Sequence, residues 1–182
     1  MARGLFYYLI TPLLALAALI QSTAGNQLVL GGVKPDLALV LVVVATLLYG
    51  GRAGLVWAFV GGLFLDIFSG GPLGSSSLAL MAGALVASVG HNILSRFNLL
   101  VPLGLMALAT IAYGVTYVSV LRVLSAVIEA TNLTTIQHNL PFWPTFQEVI
   151  LPSVAYNTII MLVLIPVLNR VPETPEVVTT LP

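Results

Sequence analysis

Apolar residues in this chain gather into long blocks, and short polar or glycine-rich stretches separate them. Six blocks read as helices that cross a lipid bilayer: residues 5–23, 37–49, 53–68, 78–94, 99–121 and 149–168. A crossing helix needs about 20 apolar residues, because the hydrocarbon core is about 30 Å thick and each helical residue rises about 1.5 Å. The breaks carry turn formers. Gly50-Gly51-Arg52 leaves room only for a tight hairpin, residues 69–74 form a Gly/Pro-rich turn, and Arg96-Phe97-Asn98 separates the fourth and fifth blocks. The longest break, residues 122–148, holds Phe142, Trp143 and Phe146, aromatics suited to headgroup level. Its first part has Leu124, Val127, Ile128 and Thr131 at helical spacing. It either extends the fifth helix or lies along the membrane surface.

The second block is short. Its apolar run of about 13 residues gives about 20 Å of helix, less than the core thickness. Such a helix either draws Lys34 and Asp36 toward the membrane or is shielded by its neighbours. Pro35 suits the first helical position, where its missing N–H costs nothing. That start would put Asp36 at the positive end of the helix dipole.

Composition strengthens the membrane reading. Of 182 residues, 59% are hydrophobic and 7% charged, against about 25% charged in a soluble domain. So few charges cannot cover a water-facing surface. With six basic and six acidic residues, the formal net charge is zero. No clustered Lys/Arg footprint for nucleic acid is present. There is no cysteine, which excludes disulfides and thiolate chemistry. The fold class expected is therefore an all-α membrane protein, a six-helix bundle in one domain over residues 1–170, with residues 171–182 as a short cytoplasmic tail. Six crossings put Arg3, Arg52, Arg96 and Arg170 on one side and Lys34 and Arg122 on the other. The basic excess marks the first side as cytoplasmic, with both termini there. Arg3, the apolar run after it and Ser22-Thr23-Ala24 fit a cleaved signal peptide as well as a retained first helix.

Candidate chemistry is sparse. Gly54, Ala58 and Gly62 are spaced by four on the third block, and Asp66 continues the row. Ala79, Gly83 and Ala87 form a similar row on the fourth. Small-residue rows let helix backbones approach closely in lipid. They serve packing within the chain, or one row docks a partner's helix or a second copy. Asp66 lies near the C-terminal end of its helix, where the dipole disfavours a carboxylate. It needs a partner, and Lys34 and the N–H groups around Gly70 and Gly71 are the candidates. His91 and His138 fall on opposite sides and cannot share a metal. Lys34, the one lysine, follows no phosphate-binding glycine loop, and no Gly-x-Ser-x-Gly elbow occurs. Ser75, Ser76 and Ser77 have no evident base. No catalytic residue, cofactor or metal site is expected.

Several short features then fall in order: Lys34-Pro35-Asp36 opening a short apolar helix, a Gly50-x-x-x-Gly54 hairpin, Asp66, and Ser69-Gly70-Gly71-Pro72-Leu73-Gly74. Over roughly residues 34–90 this order resembles the MreD family of bacterial rod shape-determining membrane proteins. The resemblance implies a non-enzymatic scaffold of the cell-elongation (Rod) complex in the bacterial cytoplasmic membrane, supporting cell-shape control and lateral peptidoglycan synthesis. It implies binding to MreC through a transmembrane helix and its outer-side base, and indirect action with MreB, RodA and a class B penicillin-binding protein. It also implies a fold like the substrate-binding subunits of energy-coupling-factor transporters, with Lys34, Pro35, Asp36, Asp66, Gly70, Pro72 and Gly74 as signature positions. Asp66 and Lys34 would brace the outer ends of the second and third helices.

Two rival readings remain. A vitamin-binding importer subunit would need convergent polar groups, for which the chain offers Arg122, Glu129, Asn157, Tyr113 and Tyr117. An ion or proton transporter would need charges at the midplane, and the blocks carry none there.

Overall fold

The computed structural model describes residues 2–23, 34–90, 99–131 and 141–168, with side chains from Tyr8 to Pro166. Arg3's side chain, Arg96, Arg170, both histidines and the tail lie outside the described residues. The described chain is helical: α1 (Ala2–Thr23), α2 (Leu37–Tyr49), α3 (Gly51–Ser69), α4 (Ser75–Gly90), α5 (Leu100–Ala130), α6 (Phe142–Thr145) and α7 (Leu151–Leu168). A π-helical turn, Phe146–Ile150, joins α6 to α7. Three stretches are long and apolar enough to cross a membrane: Gly51–Ser69, Leu100–Ala130 and Phe142–Pro166. Three shorter apolar helices, Tyr8–Thr23, Leu37–Tyr49 and Ser75–Gly90, complete the set. The molecule is a membrane helical bundle.

The short second helix is its hub. Eight of the 13 residues of α2 are buried, and α2 packs against α1, α3, α4, α5 and α7. Neighbours therefore shield the helix that is too short to span alone. Its side chains are Leu, Val and Ala almost throughout, so it meets partners on every side. In a globular protein, too, a helix apolar all round is a buried one.

Gly50 alone links α2 to α3, with φ at 89°, a region L side chains rarely adopt. Gly51 and Arg52 already belong to α3. The hairpin closes with Tyr49 edge-on to Trp57, centroids 5.4 Å apart. Of the two alternatives left open for the segment after 121, the extension of the fifth helix is the one found: α5 runs 31 residues to Ala130, about 46 Å. Its last turns therefore exceed the hydrocarbon thickness. Phe142, Trp143 and Phe146, read from sequence as part of a loop, instead begin the final helical stretch.

Both small-residue rows are buried: Gly54, Ala58 and Gly62 on α3, and Ala79, Gly83 and Ala87 on α4. A Cβ at Gly54 would collide with the Thr46 side chain of α2, one at Gly62 with the Ser77 backbone of α4, and one at Gly83 with Leu39. The rows thus bring α2, α3 and α4 together within the chain. The Ser77 hydroxyl donates to the Phe59 carbonyl at 3.0 Å across the α3–α4 approach.

The packing predicts opposite outcomes for two glycines. Gly62→Ala should cost about 1–3 kcal/mol through overpacking, read as a lower thermal midpoint in detergent. Gly104→Ala, where nothing lies within 4 Å, should be neutral or stabilising by up to about 1 kcal/mol. Equal midpoints for Gly62→Ala and the parent would contradict the close approach of α3 and α4.

Candidate functional site

The N-terminus of α2 is buried, so its unpaired N–H groups need protein partners. The capping residue and two neighbouring helices supply them. Asp36, not Pro35, is the capping residue: its Oδ1 accepts from Leu39 N at 3.0 Å. The helix begins one residue later, at Leu37, which corrects the start expected at Pro35. The physical reason is that an aspartate side chain satisfies an N–H that proline at the first position cannot. From α1, Gln21 Oε1 accepts from Ala38 N at 3.4 Å. From α7, Asn157 Oδ1 accepts from Asp36 N at 2.9 Å. Asn157 Nδ2 in turn donates to Thr110 Oγ1 on α5 at 3.3 Å, and the Thr110 hydroxyl donates to the Met106 carbonyl at 2.8 Å. Asn157 is fully buried and Thr110 almost so.

The N-terminus of α4 is served in the same manner by α3. Asp66 Oδ2 accepts from Gly74 N at 2.6 Å, and Oδ1 accepts from Ser76 N at 3.1 Å. The Ser75 hydroxyl lies 3.2 Å from Oδ1 and 2.7 Å from the Pro72 carbonyl. Asp66 is 1% exposed. Its partners are Gly74 and the first residues of α4, further along the turn than the Gly70 and Gly71 amides considered from sequence. The positive end of α4 offsets the unfavourable end of α3 on which the carboxylate sits. Gly70 and Gly74 take positive φ, 68° and 92°, and so fold the turn back for this contact.

Above these two capped termini lies a cavity of about 590 Å³. Asp36 and Asn157 lie at its base; Gln21, Ser69, Ser76 and the α5 face of Thr110, Tyr113 and Tyr117 contribute to its walls. Tyr113 and Tyr117 stack with centroids 6.1 Å apart and planes 16° off parallel. Tyr113 lies beside Asp36, and Tyr117 beside Ser75. One tyrosine pair thus lies near both acid-capped helix ends.

The positions expected as signatures from the resemblance lie at the starts of α2 and α4 and at the end of α3. Lys34 is exposed and lines the cavity, and Pro35 precedes the cap. Pro72 and Gly74 shape the turn that binds Asp66. Of the five residues considered from sequence for a ligand pocket, Asn157, Tyr113 and Tyr117 line it, whereas Arg122 and Glu129 are not among its lining residues. Arg122 instead lies over the Phe142 ring, 5.6 Å from its centroid. Sequence reasoning missed Gln21, Thr110, Ser75 and Ser76. The polar spacing Thr110, Tyr113, Tyr117 on an otherwise apolar helix was the available signal.

Compared with known families, residues 2–171 match the family described as rod shape-determining protein MreD. No curated protein and no solved structure matches the chain.

Removing a capping group should leave buried N–H groups unsatisfied, at about 1–3 kcal/mol each. Asn157→Ala and Asp66→Ala should each lower the thermal midpoint of the detergent-solubilised protein. Asp66→Asn, which keeps one acceptor oxygen, should fall between Asp66→Ala and the parent. Ser153→Ala, whose hydroxyl serves only its own helix at Val149, should be near neutral. A midpoint for Asp66→Ala or Asn157→Ala matching that of Ser153→Ala would overturn the capping assignment.

Proposed function

The chain belongs to the MreD family of rod shape-determining proteins, and from that premise we propose a non-enzymatic, multi-pass scaffold of the bacterial cell-elongation complex. The observation that carries this reading is the family match along residues 2–171. In it the chain crosses the cytoplasmic membrane six times, with both termini in the cytoplasm and the capped end of the bundle facing outward. Arg3, Arg52, Arg96 and Arg170 against Lys34 and Arg122 support that orientation. The bundle is read as similar in layout to the substrate-binding subunits of energy-coupling-factor transporters.

As a scaffold it holds MreC, a single-span protein, by its membrane helix and outer-side base, and acts through it with MreB, RodA and a class B penicillin-binding protein in lateral peptidoglycan synthesis. Because both small-residue rows are consumed inside the chain, the partner's helix meets one of the exposed apolar faces. These include Leu108 and Val123 on α5 and Ile159, Leu162 and Val163 on α7. The aromatic group formed by Phe142, Trp143 and Phe146, stacked at 5.8 and 6.2 Å, gives a headgroup-level seat for the base of that partner. Asp66 holds the outer end of α3 to the start of α4, and Lys34 stands just before α2.

Affinity purification from membranes in mild detergent, with mass spectrometry of proteins and small molecules, tests the reading. The expected result is a stoichiometric single-span MreC-type protein, with native mass resolving whether one or two copies of this chain are present. An ATPase module recovered in its place would overturn the scaffold and favour an importer subunit.

A further inference from the structure

The cavity at the capped end is built for more than packing. Its size falls in the range of small-molecule sites, about 300–1,000 Å³. Its polar groups are fixed in place by bonds already made, so a ligand would meet a preformed surface. The question is what that surface would recognise.

The hydroxyls give the first part of the answer. Ser22 donates to Leu19, Thr110 to Met106, Thr145 to Pro141 and Ser153 to Val149, each to a carbonyl of its own helix. A hydroxyl has one proton to give. Of these four lining residues, Ser22, Thr145 and Ser153 have their oxygens left to accept, and the Thr110 oxygen already accepts from Asn157. Asp36 adds a carboxylate at the base, itself lining the space. The stacked Tyr113 and Tyr117 add electron-rich rings, whose faces attract cations. Among the cavity's own lining residues the charged groups are Asp36 and Lys34, and Asp36 is the one that lies beside Tyr113.

We propose that the cavity binds a small organic ammonium ion, its charged head lodged among Tyr113, Tyr117 and Asp36. Leu65, Val118 and Ile150, which also line it, receive the ligand's apolar part. This site is independent of the scaffold reading: partner capture and ammonium binding can each fail without the other.

The test uses the full chain in lipid nanodiscs, titrated calorimetrically with choline and with its uncharged isostere 3,3-dimethylbutan-1-ol at constant ionic strength. Choline should bind with a Kd below about 1 mM, and the isostere about ten-fold more weakly or not at all. Tyr117→Phe keeps the ring and should retain binding within about three-fold, whereas Tyr117→Leu should lose about ten-fold. Thermal midpoints of the two variants check that each is folded. Should Tyr117→Leu not fold, the choline-to-isostere ratio on the parent decides. Equal affinity for choline and the isostere, or no choline heat at about 10 mM, would overturn the proposal. So would a folded Tyr117→Leu that binds choline as the parent does.

Discussion

The rest of the structure depends on how two buried helix ends are satisfied. A helix leaves its first N–H groups without intrahelical partners, and in hydrocarbon no water is present to replace them. Here α2 and α4 both start inside the bundle, and each start is completed by side chains from other helices. Asp36, Gln21 and Asn157 complete α2, and Asp66 completes α4. These bonds tie α1, α7 and, through Asn157, α5 to the central helix, and tie α3 to α4. The bundle's order follows from them as much as from apolar packing, which cannot by itself distinguish one greasy face from another.

Shortness at the hub has a consequence. About 20 Å of α2 leaves space above its N-terminus that a full-length helix would fill. α5, at 31 residues, continues past that level and forms a wall. The cavity is the volume between a short helix and its longer neighbours, and its base is polar because the caps lie there. Asp36 is the shared element: it caps α2, meets Tyr113 and lines the space. A member of the MreD family thus carries a chamber with a few polar groups set in a mostly apolar lining, together with extensive apolar flanks.

Much of this was legible in the sequence, for identifiable reasons. The apolar run Leu37–Tyr49 was readable from its bounds at Asp36 and Gly50, although the helix itself was expected to start two residues early, at Pro35. Gly54, Ala58 and Gly62 were readable as a packing row from their spacing. The position of Asp66 implied a partner on the following turn. What could not be read were contacts between distant helices. Asn157 meets Asp36 across 121 positions, and nothing local marks that pairing. Ser75 and Ser76 resembled loop residues until the Asp66 carboxylate placed them in the first turn of α4. The helical extension to Ala130 was one of two open alternatives, since apolar periodicity past Arg122 fits a surface helix equally well.

The most direct test of the central claim is amide hydrogen exchange at the start of α2 in lipid nanodiscs. If side chains from α1 and α7 complete this buried end, Ala38 and Asp36 should exchange as slowly as mid-helix Val42 and Val43. Asn157→Ala should then speed exchange in that first turn while leaving mid-α5 protected. First-turn amides that exchange freely in the parent protein, or that ignore the Asn157 substitution, would contradict the account.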